Sequence, residues 1–158
     1  MQSFEPILHV QNLTTVFDTR DGVAVAVDDV SFTLHRGETL GIVGESGCGK
    51  TVTALSIMRL IQRPGRISGG SVLYGERDLL TLSDRQMRQV RGKDIAMVFQ
   101  EPMTSLNPVF TIGDQLTEGL LYHGHMGWTE AYDTAVDVLN RVGIADPDRK
   151  STRLNSSH

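Results

Sequence analysis

The sequence predicts an α/β fold organised around a glycine-rich loop, and three adjoining features carry that prediction. A short apolar run, Thr39-Leu40-Gly41-Ile42-Val43, reads as a buried strand. Gly44-Glu45-Ser46-Gly47-Cys48-Gly49-Lys50-Thr51 follows at once and satisfies G-x-x-x-x-G-K-[ST]. Residues 52–60 are then helix-compatible, with Leu55, Met58 and Ile61 at helical spacing. Strand, loop and helix in that order give the motif its physical meaning; a chance Gly-Lys-Thr in a turn needs neither flank.

The residue types suit a phosphate. Gly44, Gly47 and Gly49 can take positive φ and carry no Cβ, so the loop can close tightly around an anion. Its N–H groups, from Gly44 through Glu45, Ser46, Gly47, Cys48 and Gly49, then form a nest at the positive end of the helix. Lys50 supplies an ammonium for β- and γ-phosphate oxygens, and Thr51 a hydroxyl for Mg²⁺. ATP with Mg²⁺ is the ligand this pattern expects. Cys48 reads as a small filler inside the loop, with a reactive thiol as the competing reading.

Composition bounds the rest. The chain has 158 residues, 39% hydrophobic and 22% charged, as an ordinary soluble domain does. A net charge of −4 argues against nucleic acid held on a basic face. No apolar run approaches a membrane span, and the first residues lack a signal-peptide pattern. One cysteine excludes an internal disulfide and points to a reducing compartment.

Further elements follow in order. Ser83-Asp84-Arg85-Gln86 has capping-box spacing and opens a short helix to Arg91. Ile95 to Phe99 is a continuous apolar run, expected to be a strand buried on both faces. Gln100 would then stand at the carboxyl end of a strand, where α/β proteins place ligands. Pro102 and Pro108 bracket a loop. Thr111-Ile112-Gly113-Asp114 begins a helix to about Tyr122. Thr129 caps another, with Ala131, Ala135, Val138, Leu139 and Val142 as its apolar stripe. His123 and His125 read as a polar loop rather than a metal pair.

From Leu8 to about Pro147 these motifs, in this order, resemble the ATP-binding subunit of ABC transporters. The dipeptide/oligopeptide/nickel importer branch is the nearest in pattern. Val10 to Leu13, Phe17 and Ala26 to Phe32 resemble the family's N-terminal antiparallel β-subdomain. His35 to Glu38 resembles its turn into the phosphate-loop strand, and Ile67 to Gly75 its return strand. Arg91 to Gln100 resembles the segment ending in the Q-loop, and Glu101 to Pro108 is the stretch most particular to the peptide/nickel branch.

The resemblance implies roles. Phe17 would stack on adenine, although a core phenylalanine in a strand looks the same locally. Gln100 would reach Mg²⁺ or the attacking water. Glu101 to Pro108 would meet a membrane permease, and a second nucleotide-binding subunit would complete the ATP sandwich. The protein would sit peripherally at the cytoplasmic face of a bacterial or archaeal membrane, energising peptide- or nickel-type uptake, with no nucleic-acid partner. The alternatives are a soluble ABC-type ATPase outside transport, or a truncated fragment without a function of its own.

The implied fold is the phosphate-loop core of an ABC nucleotide-binding domain over residues 1–147, with the start of its helical subdomain. It is expected to be incomplete. No LSGGQ-type signature, no strand ending in Asp-Glu and no switch histidine occur, so the general base is not encoded here. Asp148 to His158, DRKSTRLNSSH, matches a reading-frame translation of a common sequencing-adapter oligonucleotide and is read as a non-native tail. In the family's sheet, the strands at Leu40–Val43 and Ile95–Phe99 take neighbours from the half not present here. Unpaired backbone and exposed apolar faces are therefore expected there, with poor folding or aggregation of the isolated chain.

Overall fold

The computed structural model describes residues 5–100, 106–124 and 126–144. It comprises two compact units, Met1–Met87 and Arg88–His158, with the division falling inside a short helix.

The first unit is built on two long strands, β1 (Pro6–Thr19) and β2 (Gly22–His35), which form an antiparallel hairpin. The return strand β3 (Gly65–Tyr74) pairs antiparallel with the other edge of β1, and β4 (Arg77–Asp78) adds a short fourth. The sheet order is β2-β1-β3-β4. All of the expected β-subdomain segments lie on these strands. Val10, Leu13, Val16, Val27 and Val72 are buried from them, together with Leu79.

The long strands bend at one level. Asn12 and Asp29 take left-handed φ of 48° and 51°, and the Asn12 amide donates to Asp29 Oδ1 at 2.6 Å. Gly70 on β3, at φ 96°, passes under this bulge. A Cβ there would lie 2.6 Å from the Gln11 and Asn12 carbonyl oxygens, so only glycine fits.

Helix α1 (Lys50–Ile57) packs on β1 and β2 through Ile57, with Met58 buried just beyond its end. It stops short of residue 60 because Arg59 turns left-handed at φ 51°. The Arg59 guanidinium then donates to the Leu79 and Leu82 carbonyls and to Asp84 Oδ1 at 3.2 Å. That ties the helix end to the turn before α2 (Asp84–Val90). The expected capping box opens α2: Ser83 N donates to Gln86 Oε1 at 2.9 Å, and Gln86 N to Ser83 Oγ at 3.4 Å.

In the second unit, a tight turn from Arg91 to Ile95 leads to α3 (Ile112–Gly124), which packs against α4 (Trp128–Arg141). Thr111 and Asp114 cap α3 reciprocally, Thr111 N donating to Asp114 Oδ2 at 3.3 Å and Asp114 N to Thr111 Oγ1 at 3.1 Å. Two expectations are corrected here. Thr129 is not the cap of α4: the helix begins at Trp128, with Gly127 at the N-cap and no side-chain bond to it. The apolar stripe is only partly used, since Ala131 and Ala135 are buried while Val138 and Val142 are exposed.

The two buried strands expected from apolar runs are not formed. Residues 38–45 carry no ladder, and Ile95 has only an isolated bridge to Arg91 before residues 96–99 run on without one. Val43 is 91% exposed and Val98 95%. A strand needs a hydrogen-bonded neighbour along its length, and among the described residues the first segment has none and the second only the bridge at Ile95. The exposed apolar faces expected of unpartnered strands are present at both places.

Candidate nucleotide site

The phosphate loop belongs to the first unit and is exposed through Cys48. Gly47 and Gly49 adopt φ of 83° and 90°. Gly49 is the N-cap of α1, and a Cβ on it would run into the Ala26 carbonyl oxygen of β2. Gly44 serves differently from its partners: its φ is ordinary, and the room it saves is taken by Cys48, whose Sγ would sit 2.5 Å from a Cβ there. The free Cys48 thiol thus lies against Gly44 and is exposed.

Lys50 folds back over this nest. Its ammonium donates to the Gly44 and Glu45 carbonyls, both at 2.7 Å, and lies 3.5 Å from Cys48 Sγ. Among the described residues no carboxylate pairs with it, and the first turn of α1 holds no acidic residue. A cation partnered by neutral groups of its own loop and by no carboxylate, at a helix N-terminus beside left-handed glycines, fits a polyphosphate. Glu45 and Ser46 contribute backbone to the loop, and Thr51 lies exposed on the first turn of α1.

Phe17 lies on β1 opposite Ala24 of β2 and Gly65 of β3. Its ring rests on Gly65 and beside Ile61: a Cβ on Gly65 would sit 2.6 Å from Phe17 Cε1 and 2.7 Å from Ile61 Cγ2. The ring is half-buried, and its cross-strand neighbours are the two smallest residues available. Ala24 is two residues from Ala26, the residue that backs Gly49. By strand geometry the Phe17 Cα is about 8 Å from that of Ala26. Phe17 and the loop are thus linked through β2, by Ala24 opposite the one and Ala26 behind the other.

Gln100 lies in the second unit, exposed, in a bend. The strand expected to place it is not formed, so it does not stand at a strand end. Residues 101–105 of the expected permease segment and His125 are outside the described residues, as are the 147/148 boundary and the tail. His123 is on α3 rather than in a loop; it stacks edge-on with Tyr122 at 4.8 Å, and its Nε2 would sit 3.3 Å from a Cβ at Gly92. Among the described residues no group of three or more His, Cys, Asp or Glu could hold a metal. No helix of the described residues is long and apolar enough to cross a membrane.

Sequence reasoning missed Ala26, Gly65, Thr53, Ser56 and Thr15. Thr53 was within reach: it is four residues after Gly49, the spacing at which a helical threonine bonds back to a carbonyl.

A family model described as ABC transporter matches residues 27–157. The chain belongs to the ABC transporter family. Within the family it is 50% identical over 151 residues to "Probable peptide ABC transporter ATP-binding protein y4tR" of Sinorhizobium fredii, aligned over 95% of this chain and 44% of that protein. It is 49% identical over 147 residues to the dipeptide transport ATP-binding protein DppD of Bacillus subtilis, over 92% of this chain and 44% of that protein. The chain thus spans less than half the length of these ABC relatives. The dimeric structure of the bacterial ABC transporter cassette MJ0796 superposes with a TM-score of 0.75 at 23% identity, over 91% of this chain and 60% of the cassette. A post-hydrolysis state of the same cassette bound to ADP and Pi gives 0.75 at 21%. The expected cassette fold is therefore the fold of this chain, present in part.

Proposed function

We propose that this chain binds MgATP through Gly44–Thr51 and Phe17, as part of an ATP-binding subunit that energises peptide-type uptake. The observation that carries the reading is the Lys50 ammonium at a helix N-terminus, held by two loop carbonyls and the Cys48 sulfur and by no carboxylate among the described residues, so that a triphosphate can replace its partners. Loop amides and the N-terminus of α1 would take the β- and γ-phosphates, and Lys50 would swing from Gly44 and Glu45 onto them. Thr51 would hold Mg²⁺, which supplies charge neutralisation at the leaving phosphoryl. Phe17 would lie against the base with the side of its ring that faces away from Gly65 and Ile61. Gln100 would orient water or Mg²⁺ in the complete cassette.

Peptide relatives at about 50% identity support uptake of peptides as the purpose. A permease would then be met through Glu101–Pro108, a second nucleotide-binding subunit would face the loop, and the assembly would sit on the cytoplasmic side of the membrane. Hydrolysis belongs to the complete parent protein, and residues 148–158 are read as non-native. Genomic sequence past codon 147 tests that last point: an open frame into an LSGGQ motif is expected. For the function, the parent protein should co-purify with a membrane permease and lose its ATPase turnover in Lys50→Ala. Turnover stimulated by nucleic acid, with no permease bound, would instead favour a soluble ABC-type ATPase.

A further inference from the structure

Burying a hydroxyl among apolar side chains costs free energy unless its proton and lone pairs find partners. Four buried polar side chains occur among the described residues: Thr15, Thr53, Ser56 and Thr117. Three of them lie on β1 and α1, beside the phosphate loop, and none of the three belongs to the nucleotide motif.

Proton counting gives the direction of their bonds. Ser56 Oγ has one proton and donates it to the Val52 carbonyl at 2.7 Å. Its 2.7 Å contact with Thr15 Oγ1 must then be donated by Thr15. Thr53 Oγ1 donates to the Gly49 carbonyl at 3.0 Å, and the Thr53 amide reaches the same oxygen at 2.8 Å.

We propose that Thr53, Ser56 and Thr15 are positioning residues, a hydroxyl strap that sets the phosphate loop relative to the strand carrying Phe17. In a planar trans peptide the C=O and N–H point in opposite directions. Thr53 holds the Gly49 carbonyl along the helix, so the Lys50 N–H is aimed out of the N-terminus, toward the anion. Gly49 is backed on its other side by the Ala26 carbonyl, which leaves the peptide little room to rotate. Thr15 stands two residues from Phe17 on β1. Its bond to Ser56 fixes the register of α1 on that strand, which apolar contact, being non-directional, does not. One end of the strap orients an amide, and the other sets the spacing between ring and loop. The inference rests on the reading of Gly44–Thr51 and Phe17 as a nucleotide site.

Equilibrium binding of MgATP and of tripolyphosphate to the parent protein, carrying its natural carboxyl half, tests it, because only the former spans loop and ring. Thr53→Val should weaken both by about fivefold, the worth of one hydrogen bond, and Thr53→Ser should restore them. Thr15→Val and Ser56→Ala should weaken MgATP about fivefold more than tripolyphosphate. Thr117→Val is the control: it removes an equally buried hydroxyl, bonded to the Gly113 carbonyl at 2.8 Å, and should leave both affinities alone while lowering the unfolding midpoint. The strap is overturned if Thr53→Val binds as the unsubstituted protein does, or if Thr15→Val and Ser56→Ala lower both ligands in equal ratio. Should the unsubstituted parent protein bind neither ligand, the nucleotide reading falls and the strap with it.

Discussion

β1 and the segment Leu40–Val43 are both rich in apolar, β-favouring residues, yet only one of them is a strand. β1 finds β2 across a two-residue turn and β3 about fifty residues on, and pairs along both edges. Leu40–Val43 finds no strand partner among the described residues, and Ile95–Phe99 finds only the single bridge from Ile95 to Arg91. The difference teaches that composition nominates a strand and a partner makes it. A run suited to burial on both faces is the most dependent of all, because both its edges and both its faces must be supplied by other segments.

The largest effect that can break this comparison is in the core. Leu13→Ala, at a fully buried site of β1, should cost about 2–5 kcal/mol in denaturant unfolding. Val43→Ala and Val98→Ala should each stay within about 0.5 kcal/mol, and charged substitutions there should reduce aggregation seen in sedimentation. If Val43→Ala costs as much as Leu13→Ala, the segment is paired in solution and the comparison fails.

A second test sharpens the account of the bend. Gly70→Ala should lose about 1–3 kcal/mol in the same assay, since it combines φ 96° with carbonyl oxygens too close for a Cβ. Gly37→Ala, at φ 77° but with nothing within 4 Å, should lose less.

Helix caps give the next smaller step. Ser83→Ala should cost about 1 kcal/mol, whereas Thr129→Ala, inside α4 rather than at its cap, should be close to neutral. An equal loss in both would restore Thr129 as a cap.

The smallest effect concerns the turn that leads from β2 into the unpaired segment. The His35 backbone N–H, at 2.8 Å, and then the His35 side chain, at 3.0 Å, hold the Glu38 carboxyl below the usual carboxylate range. A depressed folded-state value means the contribution is present above the ordinary carboxylate pKa and is lost as pH falls through the lowered one. Side-chain NMR titration should show Glu38 still ionised when ordinary glutamates have taken up protons. A midpoint in the ordinary range would remove this anchor.

What was legible in the sequence divides along the same line. The Ser83–Gln86 capping box and the onset of α3 are local, written in residues three apart, and each is where it was expected. The β-subdomain was legible only through family resemblance. Its bulge at Asn12, Asp29 and Gly70 was not, because three strands must be in register before Gly70 becomes obligatory. The two apolar runs were read as strands on composition, and pairing overruled it. Within the site, Lys50 and Gly49 were visible from the motif. Their supports, Ala26, Thr53, Ser56 and Thr15, were not, since nothing in a single sequence shows which hydroxyl a fold will bury.

The central claim is that the loop around Lys50 grips a triphosphate. Isothermal titration of MgATP into the parent protein, carrying its natural carboxyl half, and into its Lys50→Ala variant tests it most directly. The account predicts one-to-one binding that weakens at least tenfold when the ammonium is removed, about 1.4 kcal/mol or more. Equal affinity of the two proteins, or no binding by the unsubstituted parent protein, would contradict it.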